Sequence, residues 1–197
     1  MLQLAQATAT LANNGIKHTP RLVLTTQNAS THVSTALPVF APQNLRLKPD
    51  HINIVRRAMV GVTQEGTSAR VFAGAGYLSG GKTGTAQAVS LGKNERYNAS
   101  KMAERQRDHA LYIAFAPADD PQIVVAVIVE NAGFGSASAA PIARRVFDYW
   151  LLGQYPSEQD MVAVSTGQAT APIGYPRKVT DIPWPRTAAS TPGCDSN

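Results

Sequence analysis

The stretch Gly76-Tyr77-Leu78-Ser79-Gly80-Gly81-Lys82-Thr83-Gly84-Thr85 gathers the residue types that could do chemistry, and it fits three patterns at once. As G-x-x-x-x-G-K-T over residues 76–83 it would be a phosphate-binding loop, whose backbone N–H groups and lysine cradle a nucleotide. That chemistry needs a buried strand before the loop and a helix N-terminus after it. Ala73-Gly74-Ala75 is poor strand sequence, and Thr83-Gly84-Thr85 is poor helix sequence. As S-x-x-K, at Ser79 to Lys82 and again at Ser90 to Lys93, it would set an amine one helical turn from a hydroxyl and activate a serine nucleophile. Glycines interrupt both matches, and the Gly80-Gly81 pair costs about 2 kcal/mol of helix propensity. Neither Ser79 nor Ser90 is nominated as a nucleophile. The third pattern is K-T-G at Lys82-Thr83-Gly84, followed by Thr85. Three residues carry weight only through their surroundings.

Little else in the chain offers a reactive group. Cys194 is the one cysteine and forms no intrachain disulfide. His18, His32, His51 and His109 lack the spacing of a metal cluster, so no metal or cofactor is expected. The 18 Lys and Arg against 13 Asp and Glu leave a net charge of +5, spread along the chain. The densest basic stretch, residues 93–109, has only Tyr97 as a stacking aromatic and reads as a solvated face, so no nucleic-acid partner is expected. The apolar stretch at 111–129 is broken by Asp119-Asp120-Pro121, so it does not span a bilayer as a helix. The first residues have no basic n-region of a signal peptide.

The elements that must position K-T-G follow from periodicity and punctuation. Residues 2–14 read as a helix stopped by Asn13-Asn14-Gly15, and residues 16–25 as a strand. Residues 27–42 are polar and β-branched, a loop with a short hairpin. Residues 49–62 form a second helix with Pro49 in its first turn and a stripe of Ile52, Val55, Met59 and Val60. Strands are expected around 81–89, at 109–116 and at 122–129. The turn Pro117-Ala118-Asp119-Asp120-Pro121 is too short for a parallel crossover, so the last two strands form an antiparallel hairpin. Residues 90–108 exceed a tight hairpin and are expected as a partly helical lid. Residues 139–152 form a third helix, with Pro141 in its first turn and Gly153 after it. Six of the thirteen prolines fall after Gly153, so residues 155–197 are expected as a Pro/Ser/Thr-rich disordered tail.

An ordered series of segments gives K-T-G its context. The series is Leu2-Gln3-Leu4-Ala5-Gln6-Ala7, Leu11-Ala12-Asn13-Asn14-Gly15, Met59-Val60-Gly61-Val62-Thr63, Gly66-Thr67-Ser68-Ala69 and Gly81-Lys82-Thr83-Gly84-Thr85-Ala86-Gln87. It continues with Tyr97-Asn98-Ala99, Arg105-Gln106-Arg107-Asp108-His109-Ala110-Leu111, Phe115-Ala116-Pro117, Val129-Glu130-Asn131 and Gly133. Taken together, it resembles the C-terminal part of the class B penicillin-binding protein transpeptidase domain, its elongation-specific branch above all. The resemblance runs from Met1 to about Tyr155.

The resemblance implies an α+β fold of the penicillin-binding/β-lactamase-like kind, with residues 1–154 as a partial transpeptidase domain. Three antiparallel strands and their packing helices would form an incomplete sheet, since the family's sheet has five. It implies a peptidoglycan D,D-transpeptidase that cross-links D-Ala-D-Ala stem peptides through an acyl-serine and is acylated by penicillins. Lys82 would then supply positive charge and aid proton transfer. Thr83 and Thr85 would offer hydroxyls to the substrate carboxylate. Gly84 would let the peptide lie against the strand, and the Thr85 backbone N–H would be one oxyanion-hole donor. Partners implied are peptidoglycan stem peptides, β-lactams and a membrane glycosyltransferase. The whole enzyme would sit in the inner membrane with this domain in the periplasm.

The family also needs S-x-x-K followed by S-x-N or S-x-D, both N-terminal of K-T-G. No S-x-N occurs in the chain. The expectation is therefore a fragment of a larger enzyme, inactive alone and marginally stable for want of its other strands. The alternatives are a non-catalytic module that binds peptidoglycan or a partner, and, least of all, a nucleotide-binding loop.

Overall fold

The computed structural model describes residues 1–90, 97–98, 102–165 and 177–178. Its centre is an antiparallel sheet of three strands, β5 (Gly80–Ala86), β6 (His109–Ala116) and β7 (Ile123–Val129), in the order β5-β6-β7. The register pairs Gly80 with Phe115 and Ala86 with His109 on one side of β6. On the other side it pairs Ala110 with Val129 and Ala116 with Ile123. β5 starts and ends a little earlier than the sequence suggests, and the hairpin of β6 and β7 is as expected.

Alternation along β6 divides the core into two layers. Ala110, Tyr112, Ala114 and Ala116 face helix α4 (Gly135–Leu152), where Ala139, Ala140, Ala143 and Phe147 close the layer. Phe115 faces the opposite way and packs with Ala12 of α1 (Leu2–Ala12) and Met59 of α2 (Pro49–Gln64). The small residues of α4 let it lie close to the sheet. Helix α4 begins four residues earlier than expected, which puts Pro141 inside the helix. The Phe134 carbonyl accepts from the amides of Ala137 and Ser138, building a first turn that precedes the proline. Gly153 ends the helix in the left-handed region, at φ 62°.

The Asn13-Asn14-Gly15 stop holds, with the Gly15 amide bonded back to the Thr10 carbonyl at 2.8 Å. The strand expected at 16–25 does not. β1 (Ile16–Lys17) pairs with β4 (Gln43–Asn44) and then stops short of Thr25, because Pro20 lacks an amide and the residues around it are exposed. The hairpin is present as β2 (Thr25–Gln27) and β3 (Ser34–Ala36), and its turn is held by Asn28 Oδ1, which accepts from the amides of Ser30 and Thr31. On α2 the buried positions are Ile52, Met59 and Thr63, and Val55 of the expected stripe is exposed. The short helix α3 (Ala69–Phe72) follows, with Phe72 in the α4 layer.

The first part of the expected tail carries short elements. β8 (Gln154–Tyr155) pairs with β9 (Arg177–Lys178), and α5 (Glu158–Ser165) follows β8. Helix α5 is anchored because Asp160 forms a two-pronged ion pair with Arg145 of α4 and its amide bonds Ser157 Oγ at 3.1 Å. Most of the remaining tail and part of the expected lid lie outside the described residues. Between 102 and 108 there is one 3-10 turn, Glu104–Gln106.

Two consecutive glycines fix how β5 sits. A Cβ at Gly80 would lie 2.5 Å from the Phe115 ring, and one at Gly81 would lie 2.1 Å from the Tyr112 hydroxyl. Phe115 and Tyr112 reach across β5 on opposite faces, so neither position has room for a side chain. Tyr112 continues to Ser68 Oγ at 2.8 Å, and Ser68 Oγ donates in turn to the Val62 carbonyl at 3.1 Å. Burial pushes the Tyr112 hydroxyl up to about 12, with the Ser68 contact opposing.

Gly81→Ala is expected to cost about 2–3 kcal/mol of stability through overpacking. Gly84→Ala should cost less, since its Cβ would meet only Leu111 Cβ at 3.3 Å. Urea denaturation of the two variants measures the difference. The raised pKa also sets an alkaline limit. The fold favours the neutral hydroxyl, so this contribution is whole below pH 10 and is lost as pH rises through about 12. That loss is about 3 kcal/mol for a shift of this size. Tyr112→Phe should flatten the fall in denaturation experiments at stepped alkaline pH.

Candidate functional site

β5 is an edge strand. β6 covers one side, and among the described residues no strand covers the other. Amides and carbonyls alternate along an antiparallel strand, so half of those on β5 point to the open side. This edge carries Lys82, Thr83, Gly84 and Thr85, the four residues singled out in the sequence.

The two faces of β5 follow from the glycine clearances. Gly81, Thr83 and Thr85 alternate onto the Tyr112 face, and Gly80, Lys82 and Gly84 onto the Phe115 face. Lys82 and the two threonines are thus on opposite sides of the strand, and the open edge is the place both can reach. Lys82 and Thr85 are exposed, and Thr83 and Gly84 are half-buried. Lys82 Nζ donates to the Thr83 carbonyl at 2.6 Å.

Three neighbours hold this edge in place. From the α2–α3 turn, Thr67 Oγ1 lies 3.2 Å from Thr83 Oγ1. From α4, Gly135 presses on the ladder, and a Cβ there would meet the Leu111 oxygen at 2.2 Å and the Gly84 oxygen at 2.8 Å. From α2, Thr63 Oγ1 lies 2.6 Å from the Ser79 carbonyl, just before β5.

A buried ion pair secures the approach to β5. Arg144 Nε donates to both oxygens of Asp148 at 2.7 and 2.8 Å, and its Nη1 donates to the Val71 carbonyl at 3.0 Å. The Tyr77 hydroxyl completes the set, donating to Asp148 Oδ1 at 2.8 Å. Burial, reinforced by the Asp148 charge, raises the Tyr77 pKa strongly and keeps it a donor. This network joins residues 71–77 to α4 and spares Asp148 the cost of an unpaired buried charge.

The competing motif readings are settled by the same geometry. Lys82 and Thr83 lie within a strand, so no helix N-terminus follows the glycines as a phosphate-binding loop requires. Ser79 is buried and its hydroxyl has no partner among the described residues, and it lies outside any helix, which removes the S-x-x-K geometry. Lys93 of the second S-x-x-K match lies outside the described residues. His109 accepts the Asn131 amide at its Nδ1, at 3.0 Å, a contact that braces the end of β6.

Sequence reading assigned no role to Thr67, Tyr112 or Gly135. The signal was partly there, since two glycines before a strand lysine imply bulky neighbours crossing both faces. Which residues cross could not be read without the register.

Residues 1–148 match the penicillin binding protein transpeptidase domain. The chain is 41% identical over 157 residues to the peptidoglycan D,D-transpeptidase MrdA of Haemophilus influenzae, covering 79% of this chain and 24% of that protein. The fold is similar to that of PBP2 from Pseudomonas aeruginosa in complex with WCK 5153. There the TM-score is 0.60 and the identity 38%, with 77% of this chain and 30% of that one covered. It is also similar to a penicillin-binding protein A from M. tuberculosis, solved as a ceftriaxone acyl-enzyme. That match has a TM-score of 0.57 and 33% identity, and covers 73% of this chain and 30% of that one. The chain therefore spans about a quarter of the length of the curated relative it matches. With an antiparallel sheet flanked by helices, K-T-G on its open edge strand and a match over residues 1–148, the chain belongs to the penicillin-binding protein transpeptidase domain family.

Proposed function

We propose that this chain carries the K-T-G half of a peptidoglycan D,D-transpeptidase site and that its open β5 edge receives the D-Ala-D-Ala end of a stem peptide. The observation that carries this reading is the free edge of β5, flanked by Lys82 on one face and by Thr83 and Thr85 on the other. A peptide strand added there would bond through backbone groups, and its C-terminal carboxylate would meet the Lys82 charge and the Thr83 and Thr85 hydroxyls. Gly84 keeps the strand free of a side chain where the peptide lies. The Thr85 backbone N–H would supply one oxyanion donor, an interaction worth about 3 kcal/mol in comparable enzymes.

The nucleophilic serine belongs to a motif outside residues 1–197. Its hydroxyl attacks the penultimate carbonyl, its proton passes to the departing amine, and the terminal D-alanine leaves. The amine of a second stem peptide then attacks the acyl-serine, forming the cross-link and returning the serine. A β-lactam would acylate the same serine. In this reading the whole enzyme is held in the inner membrane with the domain in the periplasm, beside a membrane glycosyltransferase.

Two measurements on the 197-residue chain test this. Incubation with a fluorescent penicillin is expected to give no covalent label, and labelling would overturn the placement of the nucleophile elsewhere. In NMR titrations, an N-acetylated peptide ending in D-Ala-D-Ala should shift the β5 amides more strongly than its C-terminal amide counterpart. Lys82→Ala should weaken binding of the carboxylate form by about fivefold to tenfold. Equal binding of the two peptides would defeat the reading.

A further inference from the structure

We propose that Thr67 is a positioning residue for this site, fixing the direction in which Thr83 offers its hydroxyl proton. The inference rests on the reading above, in which Thr83 donates to the substrate carboxylate. Thr67 Oγ1 stands 3.2 Å from Thr83 Oγ1, and this is the contact between the two side chains. A threonine hydroxyl has one proton to give. If Thr83 gives its proton to the carboxylate, its remaining bond to Thr67 must be one it accepts, so Thr67 donates. A Thr83 held in this way no longer spends its proton on its neighbour.

The turn that presents Thr67 is built more firmly than an exposed loop requires. Gly66 sits so close to α2 that a Cβ would lie 2.7 Å from Val62 Cα. Its amide bonds the Gly61 carbonyl at 2.9 Å, and the Ser68 amide bonds the Val62 carbonyl at 3.1 Å. Ser68 is fully buried, with Oγ bonded to the Val62 carbonyl and to the Tyr112 hydroxyl. Because Ser68 gives its proton to Val62, Tyr112 must donate to Ser68. Thr67 lies between these two anchored residues and is itself exposed, with no place in either core layer. The same Tyr112 that crosses Gly81 under β5 thus sets the turn whose next hydroxyl meets Thr83. Strand and turn are referenced to one side chain, which keeps the two hydroxyls in register.

The test uses the 15N-labelled 197-residue chain and the same two peptides, the D-Ala-D-Ala carboxylate and its C-terminal amide. The readout is the ratio of their affinities. Thr67→Val, which keeps the shape and removes the hydroxyl, is expected to cut the preference for the carboxylate by about fivefold to tenfold. Thr67→Ser should restore it. Thr83→Val should remove the same preference, and Thr67→Val added to Thr83→Val should change nothing more. If Thr83→Val abolishes the preference and Thr67→Val leaves it intact, the Thr67 proposal falls and the reading of β5 stands. If Thr67→Val weakens both peptides equally, Thr67 acts only on the shape of the turn and the proposal is overturned. If the unaltered chain shows no preference, the reading of β5 fails and the Thr67 proposal goes with it.

Discussion

The crossing of β5 by two aromatic side chains from β6 is the contact on which the rest of the site depends. Phe115 passes over Gly80 on one face and Tyr112 under Gly81 on the other, and each fills the space a Cβ would occupy. A strand gripped on both faces at its first two residues cannot roll about its own axis. A roll would exchange the faces of Lys82 and Thr83, because side chains alternate with a period of two. The double glycine therefore fixes which side chain looks which way. It does so at the edge of the sheet, where only one neighbouring strand is available to hold register.

The two edges of this sheet are unlike, and the difference is informative. β5 presents glycine, lysine and threonine, a short polar edge that discourages uncontrolled pairing. β7 presents Ile123-Val124-Val125-Ala126-Val127-Ile128-Val129, seven apolar residues with no charge, proline or bulge. Among the described residues no strand covers its outer side. Edges of that composition are normally paired or covered, and the match covers only 24% of the length of the curated relative. The two edges thus differ in character, one short and polar and the other long and apolar.

Much of this was legible in the sequence, and the omissions have physical causes. The β6–β7 hairpin declared itself through two apolar runs and a turn too short for a crossover. The motif strand was marked by K-T-G and its ordered flanks. The strand expected over residues 16–25 is broken because apolar, β-branched composition does not supply a partner: Ile16–Lys17 pair with β4, Thr25 begins β2, and residues 18–24 belong to no strand. The start of α4 was placed late because Pro141 looked like a first-turn residue. Gly135, Ser136 and Ser138 have weak helix propensity, and packing of small residues against the sheet overrides it. The ion pair of Asp160 with Arg145 joins segments whose composition gives no sign of it. The roles of Thr67 and Tyr112 depend on contacts between segments far apart in the chain, and composition and spacing are blind to those.

The chemistry available to these residues is that of placement. Tyr77 and Tyr112 are both pushed upward by burial, so at neutral pH each is a fixed donor and neither exchanges protons with a substrate. Asp148 is committed to Arg144 and Tyr77, and His109 to the Asn131 amide. The site on β5 then offers the exposed Lys82 ammonium, the Thr85 and half-buried Thr83 hydroxyls and the backbone of an open strand. Such groups donate hydrogen bonds and carry positive charge. The buried donors then have a clear purpose. They spend their hydrogen bonds holding the turn at 66–68 and the approach at 71–77, which fixes the segments beside the exposed groups on β5. Preorganisation of this kind makes edge dipoles effective, since a group that must reorient on binding gives back part of what it gains. The division of labour runs through single side chains, and Tyr112 is the clearest, packed in the α4 layer along its ring and tied by its hydroxyl to the turn beside the site.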